Sequence, residues 1–173
     1  MPDTPATAAP DEPAAGGSAE VTEVLAPVRG RAVPMRQVPD PTFADGLVGP
    51  GAAIDPPEEI VDAVAPISGT VLQMFPHAYV IVSADNIGVL VHLGLDTVQL
   101  GGEGFTAHVA KGDKVEAGQP IMTYDVPSVI AAGRNPIVPV VVMEKQEQDV
   151  RLDDVIAAGG QLATAQPLVA VTH

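Results

Sequence analysis

The sequence contains no cysteine and no tryptophan, and aromatic residues make up only 3% of it. The absence of cysteine excludes disulfide bonds, thiolate nucleophiles and cysteine-ligated metal sites within this chain. With so few aromatic rings, a hydrophobic core has to be built from valine, isoleucine, leucine and alanine. Hydrophobic residues amount to 46% of the 173 residues, which is enough for one such core.

Basic residues are also scarce: eight Lys and Arg stand against 22 Asp and Glu, which gives a formal net charge of −14. Nucleic acids and anionic membrane surfaces would repel such a chain, so we expect neither as a partner. No apolar run approaches the ~20 residues that a membrane span needs, and no basic stretch followed by an apolar one opens the chain. We therefore expect a cytoplasmic protein with no direct membrane insertion.

The chain divides by composition near residue 20. Residues 1–20 are mainly Ala, Pro, Gly and acidic residues, which predicts a disordered acidic Ala/Pro-rich tail before a single domain over residues 21–173. From Val21 onward, short β-branched runs alternate with Gly, Pro, Asn and Asp, a pattern typical of an all-β domain with hairpins. Weak helical character is confined to residues 41–48, 127–132 and 153–158.

Two of the four histidines, His77 and His92, flank the run HAYVIVSADNIGVLVH. Residues 83–86 carry the turn formers Ser, Asp and Asn. If they close a regular antiparallel hairpin, His77 lies directly opposite His92, with Cβ atoms about 5 Å apart and both rings on one face. The opposite face would then send six apolar side chains toward the core: Ala78, Val80, Val82, Ile87, Val89 and Val91.

Two opposed histidines without cysteine admit three interpretations. One imidazole can attack phosphorus while the other hydrogen-bonds the phosphoryl oxygens. The pair could instead bind zinc, if Asp40, Asp96 or a partner's carboxylate joined His77 and His92. The rings could also be purely structural. Between Gln37 and Ala110 the chain has nine acidic residues and no Lys or Arg, which disfavours tight phosphate binding and suits a carrier that gives its phosphoryl group away.

Several motifs in a fixed order resemble glucose-type enzyme IIA proteins, the phosphocarriers of the bacterial phosphoenolpyruvate-dependent sugar phosphotransferase system. The segment VHLGLDTVQL at residues 91–100, followed by GEGF at 102–105, resembles the signature of that family. The segment VPDPTF at 38–43 resembles its active-site loop, and further matches lie at 48–54, 65–70 and 123–125. The resemblance extends from about Val24 to about Val142, and less clearly to Val171.

The resemblance implies a barrel-like antiparallel β-sandwich with short helical turns, and it implies roles for five residues. His92 corresponds to the phosphoacceptor, which reacts through Nε2, and His77 to the histidine that stabilises the phosphoryl group. The site would be framed by Asp40, Asp96 and Phe43. The donor would be the histidine phosphocarrier protein, and the acceptor a cysteine on the IIB domain of a glucose- or N-acetylglucosamine-type permease. This phosphotransferase component would need no cofactor, since the phosphoryl group itself is the covalent intermediate.

One departure from the family stands next to the first histidine. Family members often have a threonine two residues before it, and the segment Met74–His77 offers no hydroxyl there.

Two other functions stay open at this stage. A lipoyl-like β-sandwich binding module would need a modified lysine at a hairpin tip, for which Lys145 has unsuitable flanks. A zinc hydrolase built on His77 and His92 would need a third ligand.

Overall fold

The computed structural model describes residues 21–40, 50–84, 86–95, 97, 104–143, 150–152 and 160–172. This part of the chain contains one short α-helix, α1, at Val126–Ala131 and a 3-10 turn at Met35–Gln37. Its remaining elements are fourteen strands: β1 Val21–Leu25, β2 Gly30–Pro34, β3 Gly51–Asp55, β4 Ile60–Val64, β5 Gly69–Phe75, β6 Ala78–Val82, β7 Gly88–His92, β8 Phe105–Ala107, β9 Lys114–Val115, β10 Pro120–Asp125, β11 Val138–Met143, β12 Val150–Leu152, β13 Gln161–Leu162 and β14 Pro167–Thr172.

The strands form three sheets, and every described strand pairing is antiparallel. The large sheet has the order β13-β2-β3-β11-β7-β6-β5-β9, and the two small sheets have the orders β1-β14-β12 and β4-β10-β8. One main core cluster takes buried side chains from all three sheets, among them Val24, Val89, Ile121 and Leu168. The small sheets therefore pack against one face of the large one, and the prediction of an all-β antiparallel sandwich is confirmed.

The large sheet is apolar on its other face as well. A second cluster combines residues of β2, β3 and β11 with residues of the adjoining loops: Val33, Met35, Val38, Ala53, Leu95, Ile137 and Val141. Leu90 of β7 packs against this cluster and is only partly buried. The second face thus carries an apolar surface at the sheet centre, beside the C-terminal end of β7.

The helix predicted at 127–132 is confirmed as α1. Its first turn is capped by Asp125, whose carboxylate accepts a hydrogen bond from the Ser128 N–H at 3.2 Å, and Pro127 suits the first helical positions. The helices predicted at 41–48 and 153–158 and the tail predicted at 1–20 lie outside the described residues. Within the described ranges, no helix is long and apolar enough to cross a membrane.

The predicted register of the hairpin formed by β6 and β7 is wrong by one residue. Ala78, and not His77, lies opposite His92. The turn holds one more residue than predicted, because the Ser83 N–H donates to the carbonyl of Ile87 at 2.9 Å rather than closing on residue 86. Residue 86 is an asparagine with φ 65°, a left-handed conformation that this residue type tolerates.

The shifted register inverts β6 and leaves β7 as predicted. Val89 and Val91 belong to the main core cluster, but on β6 it is Tyr79 and Ile81 that do so. By alternation, Val80 points to the second face with the histidine end of β7. Tyr79 is fully buried, and its hydroxyl donates to the Val64 carbonyl at 2.8 Å.

Candidate active site

His92 is the last residue of β7, a central strand of the large sheet. Strand alternation buries Val91 in the main core and leaves His92 on the second face, where its side chain is half-buried. β6 and β11 flank β7 and pair with it on both sides. The imidazole is therefore carried by a well-supported backbone at the edge of an apolar surface.

His77 lies in the tight turn between β5 and β6. Phe75 pairs with Ala78 across this turn, which leaves two residues at its tip, and His77 is the second of them. The His77 carbonyl accepts a hydrogen bond from the Leu93 N–H at 2.8 Å. This bond ties the turn to the residue that follows β7 and so brings the first histidine to the second.

The two imidazole rings are in contact. Their centroids lie 4.9 Å apart and their planes meet at 70°, an edge-to-face arrangement. The histidines that the sequence singles out are thus neighbours in space, although His77 reaches the site from a turn and not from the facing strand position. A small group held on one ring lies within reach of the other.

The tautomer of His92 follows from its partner. Nδ1 of His92 lies 2.5 Å from the carbonyl oxygen of Gly94, and a carbonyl can only accept, so Nδ1 carries the proton. In the neutral ring, Nε2 is then left with its lone pair. This is the protonation state that a nucleophilic imidazole requires.

His77 differs from His92 in its hydrogen bonding, and its surroundings shift its pKa. Partial burial, and after it the nearby His92, lower the pKa of the His77 imidazole below its ordinary value of 6.5. Among the described residues, Nδ1 of His77 is buried and has no hydrogen-bond partner. The position two residues before it is Phe75, so this chain offers no side-chain hydroxyl from that position.

Gly94 has a backbone conformation that only glycine adopts readily. Its φ is 87°, and its N–H donates to the carbonyl of Ile137 at 3.0 Å. The next residue, Leu95, donates in the same way to the carbonyl of Asn135 at 2.8 Å. The loop between α1 and β11 therefore fixes the turn that presents the Gly94 carbonyl to His92.

Phe75 is an apolar neighbour of the site that the sequence reasoning did not single out. Its side chain is 43% exposed, and its ring centroid lies 6.2 Å from that of His77. An exposed phenylalanine directly before Pro76 and His77 is a signal that could have found it. Phe75 and the second-face cluster together give the histidine pair an apolar border.

The three residues predicted to frame the site are only partly described. Asp40 is half-buried and follows the 3-10 turn, where its N–H donates to the Val38 carbonyl at 2.8 Å; its place beside the histidines stays a prediction. Asp96 and Phe43 lie outside the described residues. In the described part of the chain, no group of three or more His, Cys, Asp or Glu side chains could hold a metal ion.

His108 lies elsewhere in the fold, directly after β8. It is exposed, its Nε2 lies 2.7 Å from the Thr123 hydroxyl oxygen, and that hydroxyl donates to Asp62 at 2.8 Å. These contacts connect neighbouring strands of a small sheet. His108 therefore serves as an internal comparison for the paired histidines.

Comparison with known proteins gives consistent results. The family model described as phosphoenolpyruvate-dependent sugar phosphotransferase system, EIIA 1, matches residues 22–148. The glucose-specific EIIA component of Oceanobacillus iheyensis is 34% identical over 149 residues, which cover 83% of this chain and 88% of that protein. The solved structure of glucose permease IIA from Mycoplasma capricolum matches with a TM-score of 0.78 and 28% identity, covering 87% of this chain and 96% of that one.

Some relatives are much longer than this chain. The mannose-specific EIIBCA component of Corynebacterium glutamicum is 44% identical over 137 residues, which cover 79% of this chain but only 20% of the relative. The chain thus spans about a fifth of the length of such multidomain relatives. The names of these relatives join an A component to B and C components. From the family model and the full-length EIIA relative together, the chain belongs to the glucose-type EIIA family of the phosphoenolpyruvate-dependent sugar phosphotransferase system.

Proposed function

We propose that this chain carries a phosphoryl group on Nε2 of His92, between a phosphohistidine donor and the cysteine of a IIB domain. Membership in the EIIA family makes the chain a phosphotransferase component. The observation that carries the assignment to His92 is the hydrogen bond from its Nδ1 to the Gly94 carbonyl. That bond leaves Nε2 unprotonated and nucleophilic in the neutral ring.

In the first transfer, the lone pair of His92 Nε2 attacks phosphorus. The bond between phosphorus and the donor's imidazole nitrogen breaks, and the donor nitrogen keeps that electron pair. In the second transfer, the thiolate of the acceptor cysteine attacks phosphorus, and the electrons of the P–N bond return to Nε2. The proton on Nδ1 stays in place throughout, and its bond to the Gly94 carbonyl stabilises the positive charge that develops on the ring.

His77 supports the phosphoryl group from the side. Its ring contacts that of His92, and its lowered pKa keeps it neutral in the empty site at neutral pH. One N–H of a neutral imidazole can donate to a phosphoryl oxygen. A phosphoryl dianion beside His77 would also raise its pKa again, so the ring can take up a proton when phosphate arrives and release it when phosphate leaves.

The donor and the acceptor supply the remaining positive charge. No Lys or Arg occurs between Gln37 and Ala110, the stretch that holds both histidines. The donor that fits this family is the histidine phosphocarrier protein, and the acceptor is the IIB domain of a glucose- or N-acetylglucosamine-type permease. Several relatives have their A component in one chain with B and C components, which supports a membrane permease as partner.

The test is reconstitution of the first transfer. The protein is incubated with phosphoenolpyruvate, enzyme I and the histidine phosphocarrier protein, and its intact mass is measured before and after acid treatment. We expect an acid-labile gain of one phosphoryl group in the wild type and in His108→Gln, and none in His92→Gln. Labelling of His92→Gln at the wild-type rate would overturn the assignment.

The same assay separates the alternatives. A zinc hydrolase on His77 and His92 would gain no phosphoryl mass and would lose its activity with chelator, and no third ligand is found among the described residues. A lipoyl-like module would carry its group on a lysine, for which Lys145, outside the described residues, was the candidate. Among the residues that the structure describes, neither alternative has an observation in its favour.

A further inference from the structure

The turn that follows His92 is supported by a buried hydroxyl. Thr97 is fully buried. Its Oγ1 donates to the Leu93 carbonyl at 2.8 Å and lies 3.4 Å from the carbonyl oxygen of Gly94. A hydroxyl has one proton to donate, and the shorter distance assigns that proton to the Leu93 carbonyl. The threonine side chain also lies next to Gly94.

A second buried hydroxyl supports the same turn through the loop that precedes β11. The phenol of Tyr124, on β10, is fully buried and donates to the Pro136 carbonyl at 2.8 Å. Pro136 stands between Asn135 and Ile137, whose carbonyls accept the N–H groups of the His92 turn. Burial first, and then the nearby Asp55, raise the pKa of this phenol above its ordinary value, so it remains a donor at neutral pH.

Both residues converge on Gly94. A Cβ atom built on Gly94 would lie 2.6 Å from Cγ2 of Thr97 and 3.1 Å from the hydroxyl oxygen of Tyr124. The Thr97 hydroxyl holds the carbonyl of Leu93, the residue before Gly94. The Tyr124 hydroxyl holds the loop whose carbonyls accept the N–H groups of Gly94 and Leu95. The Gly94 carbonyl itself accepts the hydrogen bond from His92 Nδ1–H.

We propose that Thr97 and Tyr124 are positioning residues that hold the Gly94 carbonyl in place and thereby keep His92 in its nucleophilic tautomer. When the acceptor for Nδ1–H moves away, the imidazole is free to place its proton on Nε2, where it blocks attack on phosphorus. Neither hydroxyl needs to touch the phosphoryl group. The consequence for phosphoryl transfer rests on the proposed function, but the effect on the tautomer does not.

The tautomer is measured directly by ¹⁵N NMR of the His92 ring nitrogens in the unphosphorylated protein. The variants are Tyr124→Phe, Thr97→Val and Thr97→Ser, of which the last keeps the hydroxyl. We expect Tyr124→Phe and Thr97→Val to increase the fraction of His92 with the proton on Nε2, and to slow phosphorylation about fivefold each, as the loss of one ordinary hydrogen bond would. Thr97→Ser should stay close to the wild type in both measurements.

Tyr79→Phe is the matched control. It also removes a buried phenol hydroxyl, one that donates to the Val64 carbonyl in the core, so it should lower stability without changing the His92 tautomer. An unchanged tautomer in folded Tyr124→Phe and Thr97→Val would overturn the proposal, as would an equal shift in Tyr79→Phe. If Thr97→Val does not fold, Tyr124→Phe alone decides.

The two proposals fail in different ways. A wild type that is never phosphorylated, while its variants still change tautomer, would refute the phosphoryl carrier and leave the positioning role standing. A phosphorylated wild type whose variants keep both tautomer and rate would refute the positioning role and leave the carrier standing.

Discussion

The proton distribution over the two imidazoles is set by unequal surroundings. The Nδ1–H of His92 donates a hydrogen bond to a backbone carbonyl, whereas Nδ1 of His77 is buried with no partner among the described residues. A ring with a fixed tautomer is suited to act as nucleophile. A ring whose tautomer is not fixed by a hydrogen bond can gain or lose a proton as the charge beside it changes. This property suits a group that stabilises the phosphoryl oxygens.

Replacement of His77 should impair delivery more than loading. We expect His77→Gln to accept a phosphoryl group on His92 but to pass it to the IIB cysteine about 100-fold more slowly, because one donor to the phosphoryl oxygens is lost in the transition state. Rapid-quench measurement of both half-reactions separates the two steps. Equal delivery rates in variant and wild type would contradict this role.

The lowered pKa of His77 also makes stability depend on pH. Below about pH 6.5, a histidine in the unfolded chain takes up a proton before His77 in the folded protein does, so the unfolded state binds more protons and folding weakens as the pH falls. We expect the free energy of unfolding to decrease between pH 7.5 and 5.5 by more in the wild type than in His77→Gln. Urea denaturation of both proteins at the two pH values tests this, and parallel decreases would rule it out.

At the scale of single elements, the turn after β7 tolerates an added side chain less well than the turns at Gly112, Gly118 and Gly133, where nothing lies within 4 Å of an added Cβ. Gly94→Ala combines a positive φ of 87° with a Cβ contact of 2.6 Å to Thr97, so we expect a loss of about 3 kcal/mol in stability together with slower phosphorylation. Gly112→Ala is the matched control: its φ is 93° and nothing lies within 4 Å of the added Cβ, so backbone strain alone should cost about 1 kcal/mol.

Denaturant unfolding of both glycine variants, with phosphorylation rates measured on the folded fraction, makes the comparison. Equal losses of stability in the two variants would mean that crowding at Gly94 contributes nothing beyond its backbone conformation.

The β6–β7 hairpin shows what alternation can and cannot predict. Alternation along β7 correctly places Val89 and Val91 in the core, because the period of a strand depends only on its own residues. Which face each side chain of β6 occupies depends in addition on the number of residues in the turn. The turn holds one residue more than the sequence pattern predicts, with Asn86 in a left-handed conformation. A single extra residue inverts every side chain of the strand.

Pairing between distant strands was also beyond the sequence pattern. β7 pairs with β11, which follows some fifty residues later, and this pairing brings the loop with Asn135 and Ile137 against Gly94. The importance of Thr97 and Tyr124 follows from that contact. Local periodicity carries no information about it, although the motif resemblance located the histidines themselves.

At the scale of the whole molecule, the net charge of −14 acts on charged partners at a distance. We expect the acidic surface to steer a basic donor, so the rate of phosphorylation at sub-saturating protein should fall as the ionic strength rises. The measurement is a series of initial rates from low to high salt with the donor concentration held constant. A rate that is flat or increases with salt would assign the charge to solubility.

The central position of β7 determines when its backbone can open. Its amide groups are paired with β6 on one side and β11 on the other, whereas the ends of the large sheet are two-residue strands, Gln161–Leu162 and Lys114–Val115. In hydrogen–deuterium exchange, the end strands should lose protection through local fraying, and β7 only through global unfolding. Partially opened states of this protein would then retain the strand that bears His92, so the proposed phosphoacceptor would be among the last parts of the molecule to lose its structure.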